Sequence, residues 1–219
     1  MGTTLFRPVG LQELGLIWDS GMREFPPRLP GQPIFYPVLN VEYARQIARD
    51  WNTKDKNSVF SGFVTSFEID SEFLSNYNTH TVGAKSHTEY WIPAAELPEF
   101  NKSIQTLISV REGYFGENYT GQIPADFMLK GKEAAAQFVT LVKLWDYSSF
   151  DVSCEVSANR KAVFLNYLFW SQHDFSELGI SAPQRESALS HLKAIWEFHG
   201  IKVPLPIAYL PSRDMPPAN

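Results

Sequence analysis

The stretch QPIFYPVLNVEYARQIARDW, from Gln32 to Trp51, constrains this chain more than any other. It opens on β-forming residues, Ile34-Phe35-Tyr36, bracketed by Pro33 and Pro37. After Asn40 the apolar period changes. Tyr43, Ala44, Ile47, Ala48 and Trp51 recur at the spacing of one helix face. Asn40 suits the cap of that helix, because its side chain accepts from the free N–H groups of a first turn. Strand, tight turn and small-residue helix follow in order. Such a unit holds Tyr36 either as a packing ring in the core or as a flat face beside a cleft.

Upstream, Leu5-Phe6-Arg7 predicts a first strand cut by Pro8. Leu11, Leu14, Ile17 and Trp18 predict a short helix ending near Ser20-Gly21, where glycine takes the left-handed conformation. Phe25 to Pro33, FPPRLPGQP, is a stiff exposed loop carrying Arg28. Downstream, Phe63, Thr65, Phe67 and Ile69 alternate with Val64, Ser66 and Glu68 in a strand with one buried face. Ser71 to Tyr77 is a connector and Asn78 to His87 a polar loop. Glu89 to Ile92 is a strand stopped by Pro93, Ala94 to Asn101 gives a helical turn or two, and Ile104 to Phe115 is a further strand. Short strands and helices without regular βα alternation predict an α+β fold.

Beyond a composition change at Gly116 to Gly131 the pattern is helical. Ala134, Phe138, Leu141, Val142 and Trp145 share one face, and Leu165, Leu168 and Phe169 lie on a second helix. A third has Ser181 as cap, Pro183 in its first turn, Leu189, Leu192, Ile195, Trp196 and His199 on one face, and Gly200 as stop. The proline-punctuated tail predicts an edge strand at Ile207 to Leu210. The division expected is therefore residues 1–118 and a mostly helical extension, 119–219. The aromatic content of that extension suits core packing, or a dock for an inhibitor or antitoxin protein.

With 219 residues, 44% of them hydrophobic, the chain buries a core without staples. The lone Cys154 excludes an intrachain disulfide and fits a reducing compartment. No apolar run approaches the roughly 18 residues needed to span a bilayer. MGTTLFRPVG lacks the basic start and apolar core of a signal peptide, so a cytoplasmic protein without a membrane partner is expected. A net charge of −5 without a Lys/Arg cluster argues against a broad nucleic-acid face and leaves room only for a local basic pocket.

His80, His87, His173, His191 and His199 are scattered without HxxxH or HExxH spacing, so no metal site is expected. Hydrolase-elbow, P-loop and dinucleotide-fold signatures are absent from the sequence. What remains is Arg7 on the first strand, Tyr36 before its helix and Glu89 opening a later strand. Singly, each reads as an ordinary surface or core residue. Together they suit a nucleotide: a guanidinium fork holds phosphate or ribose oxygens, a phenol stacks on a cationic heteroaromatic, and a carboxylate favours positive charge at an anomeric carbon.

LFRPVG, IFYPVLNVEYARQIA and HTEYWIPAAEL resemble, in this order, the three motifs of the ADP-ribosyltransferase superfamily. The resemblance runs over roughly residues 4–112. It implies a split pair of antiparallel sheets with NAD in the cleft between them, as substrate. Arg7 would fix a phosphate or the adenosine ribose, Tyr36 would stack on nicotinamide, and Glu89 would hold the nicotinamide ribose and act as the catalytic carboxylate. Arg7 matches the arginine-serine-glutamate branch whereas Tyr36 matches the tyrosine branch, so Ser66 of Thr65-Ser66 is a second candidate for the middle position. His87 stands two residues before the glutamate, and Arg28 is a second candidate for the pyrophosphate. The implied activity is transfer of ADP-ribose to a macromolecule, a protein in preference to a nucleic acid, as in bacterial toxins and defence effectors, with plain NAD hydrolysis as a variant. The alternative is a degenerate transferase fold that binds a nucleotide or a protein without catalysis.

Overall fold

A computed structural model describes residues 2–84 and 87–207. β1 (Gly2–Val9) runs through Pro8, where a break was expected. Phe6 donates its N–H to the Val38 carbonyl, away from the strand that flanks β1 on its other side. Pro8, two residues on, turns its missing donor to that same side, so the ladder loses nothing. α1 (Leu11–Asp19) buries Leu11, Leu14 and Ile17 and ends at Ser20, with Gly21 at φ +73°. β2 is only Ile34–Phe35, so Tyr36 lies just past the strand. α2 (Val41–Gln46) starts as expected, the Asn40 side chain accepting from the Glu42 N–H at 2.8 Å.

α2 runs into a π-helical turn, Ile47–Trp51. Bonds of i→i+5 type rotate each residue less than an α-helix does, and the apolar stripe slips. Tyr43, Ala44 and Ala48 are buried, but Trp51, expected on the same face, is 56% exposed.

β3 (Ser61–Asp70) pairs with β1 from Phe63 to Asp70 and with β7 (Ser109–Phe115) on its other side, both antiparallel. One face was expected to be buried; both are. Phe63, Phe67 and Ile69 enter the main core, whereas Val64 packs against Val38, Tyr43, Ala44 and Ala48 on the opposite face. Between β3 and β7 come α3 (Ser71–Leu74), the hairpin of β4 (Thr79–Thr81) and β5 (Thr88–Tyr90), β6 (Ile92–Pro93) and α4 (Leu97–Lys102). β4 falls in the expected polar loop and exists by pairing rather than by pattern. β7 begins at Ser109, not at Ile104, because the Ile108 N–H bonds to the Met22 carbonyl instead of a neighbouring strand.

β6 pairs with β2, and Val38 bridges both Phe6 of β1 and Glu89 of β5. Residues 36–39 thereby stitch β5 to β1, with Tyr90 donating to the Pro37 carbonyl at 2.9 Å and Leu39 to the Thr88 carbonyl at 3.0 Å. This stitch brings the distant segments together.

After β7 every described element is helical: α5 (Ala134–Trp145), α6 (Ser149–Ala158), α7 (Arg160–Gln172) and α8 (Ala182–Phe198), with short 3-10 turns. α8 carries a full capping box between Ser181 and Gln184. The main core is continuous from Leu5 of β1 to Trp170 and Trp196 of these helices. Of the edge strand expected at Ile207 to Leu210, residues 208–210 lie outside the described residues. The molecule is mixed α+β, about 48% helix and 18% strand, with small antiparallel sheets. Among the described residues no helix is long and apolar enough to cross a membrane.

Candidate functional site

Arg7, Tyr36 and Glu89 all line one cleft of about 360 Å³, together with Glu13, Arg28, Tyr43, Ile47 and Trp51. Its size is at the small end of ligand sites. One wall is β1 and the start of α1, another is the helix of Tyr43 and Ile47, and Glu89 of β5 closes a third side.

Arg7 is buried and strongly engaged. Its Nε and Nη2 donate to the two oxygens of Glu13 at 2.9 and 3.3 Å, and Nη1 donates to the Tyr36 carbonyl at 3.2 Å. Its guanidinium carbon sits 4.4 Å from the centre of the Phe35 ring. Three of five N–H groups are therefore committed and the charge is answered by Glu13. Arg7 fixes the entry of the Tyr36 turn to the start of α1.

Arg28 is different. Its Nε donates to the Ile34 carbonyl at 3.2 Å, and among the described residues no carboxylate pairs with it. Burial, and then repulsion from Arg7, lower its pKa from the ordinary arginine value. An anion entering the cleft would relieve that repulsion.

Glu89 is 7% exposed, and the Trp91 indole N–H donates to one of its oxygens at 2.8 Å. The Tyr43 hydroxyl has its pKa raised, by burial first and by the Glu89 charge second. Tyr36 is 37% exposed, its ring edge-on to Trp91 at 6.0 Å. A half-exposed phenol at a cleft mouth is free to stack on a planar ligand.

The two remaining sequence candidates sit elsewhere. Ser66 is buried in β3 between Phe6 and Ser109 and is not part of the cleft lining. His87 stacks on Tyr43 at 4.1 Å with ring planes 11° apart, behind the phenol rather than in the cleft. Four cleft-associated residues escaped sequence reasoning: Glu13, Tyr43, Trp51 and Trp91. Tyr43 and Trp51 were absorbed into a helix face. Glu13 had one signal, an acid in the first turn of a helix that directly follows the Arg7 strand. Among the described residues no cluster of His, Cys, Asp and Glu is placed to hold a metal.

Comparison with protein-family models, with curated proteins and with solved structures returns no match. The functional reading therefore rests on this geometry and on the motifs themselves.

Proposed function

We propose that the chain cleaves the nicotinamide–ribose bond of NAD and transfers ADP-ribose to a macromolecular acceptor, as toxins and defence effectors do. The observation that carries this reading is the shared cleft of Arg7, Tyr36 and Glu89, three residues from separate segments of the chain. In this reading the sheet β1–β3–β7, continued through Val38 into β5–β4, and the pair β2–β6 are the two parts of a split antiparallel sandwich around the nucleotide.

Tyr36 stacks on the nicotinamide ring and Glu89 accepts from a ribose hydroxyl. As the glycosidic C–N bond breaks, its electron pair returns to the nicotinamide nitrogen and positive charge grows on the anomeric carbon, which the Glu89 carboxylate stabilises. The acceptor attacks that carbon and sheds a proton, giving free nicotinamide and the ADP-ribosylated acceptor. Arg28 answers the pyrophosphate charge, and Arg7 keeps the Tyr36 turn in register. The acceptor is a protein in preference to a nucleic acid, since the net charge of −5 offers no broad phosphate-binding face.

The test is nicotinamide release from NAD labelled in the nicotinamide ring, with and without a cell lysate, for the wild type and Glu89→Gln. Release by the wild type and loss of at least a hundredfold in the variant are expected. Equal release by both proteins would remove Glu89 from the role. Calorimetry with NAD separates a non-catalytic nucleotide-binding module, which binds without turnover, from a chain that does neither.

A further inference from the structure

We infer that Trp91 is the positioning residue of the cleft carboxylate: its indole N–H pins one oxygen of Glu89 and leaves the other presented to the ligand. Trp91 follows Glu89 by two residues in extended chain, so both side chains leave the same face. The Nε1–Oε1 distance is 2.8 Å, that of a charge-assisted bond. The second oxygen makes no hydrogen bond among the described residues, and Glu89 lines the cleft.

Two further contacts hold the indole. His80, opposite Glu89 in the β4–β5 register, stacks on it at 4.3 Å with planes 20° apart, and the Tyr36 ring meets it edge-on. Trp91 is nonetheless 41% exposed, more than a residue serving the core would be. An indole can donate and cannot accept. It therefore fixes the direction of one carboxylate oxygen and leaves the other to accept from a ligand. A histidine or hydroxyl in its place would turn around and accept.

The bond itself is independent of any reaction; its catalytic consequence rests on the reading of Glu89 proposed above. The test uses the full chain with 13C-labelled glutamate carboxylates, Glu89 being identified by its absence from Glu89→Gln. The other charged or titratable groups around Glu89 are Tyr43 from α2, His80 across the hairpin, Arg7 from β1, Glu13 from α1 and Arg28 from the loop, and all are kept. In Trp91→Phe the Glu89 carboxylate resonance should move, because one of its oxygens loses its donor. For NAD cleavage kcat should fall while KM holds.

An unchanged Glu89 carboxylate resonance in Trp91→Phe would overturn the inference. Should that variant not fold, the Trp91 indole N–H resonance decides: it should move upfield from the wild type to Glu89→Gln, where a neutral amide replaces the charged acceptor, and an identical shift in the two proteins would sink the idea. A carboxylate resonance that moves in a protein that never releases nicotinamide would leave Trp91 as the partner of Glu89 and discard only the enzymatic reading.

Discussion

Gly62 lies so close to Ala48 that a β-carbon added to it would stand 2.1 Å from the Ala48 carbonyl oxygen. This contact sets how near the π-helical turn approaches β3, and so where Tyr43, Ile47 and Trp51 meet the cleft. The obstruction is backbone, which cannot swing aside as a side chain would. Gly62→Ala should therefore lift the helix from the sheet and cost about 3 kcal/mol, the upper range for overpacking. Urea unfolding measures the loss. A stability change below about 1 kcal/mol would show that the helix does not rest on this strand.

The two cleft arginines separate by partner. Arg28→Ala removes a charge without a carboxylate partner among the described residues, so unfolding should hardly change while NAD binding weakens, by about tenfold for one charge-assisted contact. Arg7→Met instead strands Glu13 and frees the Tyr36 carbonyl, costing about 3 kcal/mol of stability. Calorimetric titration beside thermal unfolding of both variants checks the pair. Equal effects on both readouts would show that the arginines share one role.

Local chemistry made α8 legible in the sequence, because its cap, its first-turn proline and its terminal glycine each act within a few residues. The motif resemblance singled out Arg7, Tyr36 and Glu89, and these three line one cleft. What was not legible arises from pairing and from phase. β4 has no alternating pattern and is a strand because β5 lies beside it. Trp51 was assigned to a buried face by a regular helical period that the π turn interrupts. The engagement of Arg7 by Glu13 depends on how sharply the chain turns from β1 into α1, which residue spacing does not state.

Tyr119 makes stability depend on alkaline pH. Its ring is buried, its hydroxyl donates to Asn166 at 3.0 Å, and burial pushes its pKa well above the ordinary tyrosine value of 10.0. The unfolded chain releases this proton near pH 10 and the folded chain does not. Stability is thus full below pH 10 and falls as pH rises beyond it, at about 1.4 kcal/mol per pH unit for this one group. Tyr119→Phe should lower stability at pH 7 by about 1 kcal/mol for the lost hydrogen bond and flatten the alkaline decline. Unfolding curves at pH 7, 10 and 11 test both parts, and an undiminished decline in the variant would assign it to other groups.

Phe127 is held in the left-handed region at φ +55° although it is not glycine and its side chain is 66% exposed. The restraint comes from Glu155, a buried carboxylate of α6 that accepts from the Met128 N–H at 2.8 Å and the Leu129 N–H at 3.4 Å. Two opposite predictions follow from one geometry. Glu155→Ala leaves the buried Leu129 N–H and the part-buried Met128 N–H without a partner, at about 1–3 kcal/mol, and releases the loop, so cleavage by chymotrypsin at Phe127 should accelerate. Phe127→Gly relieves about 1–2 kcal/mol of left-handed strain against about 0.5–1 kcal/mol of added chain entropy in the unfolded state. The exposed ring forfeits little packing, so relief wins and the melting temperature should rise slightly. A lower melting temperature for Phe127→Gly would mean that the ring, not the backbone, is what this loop is built to keep.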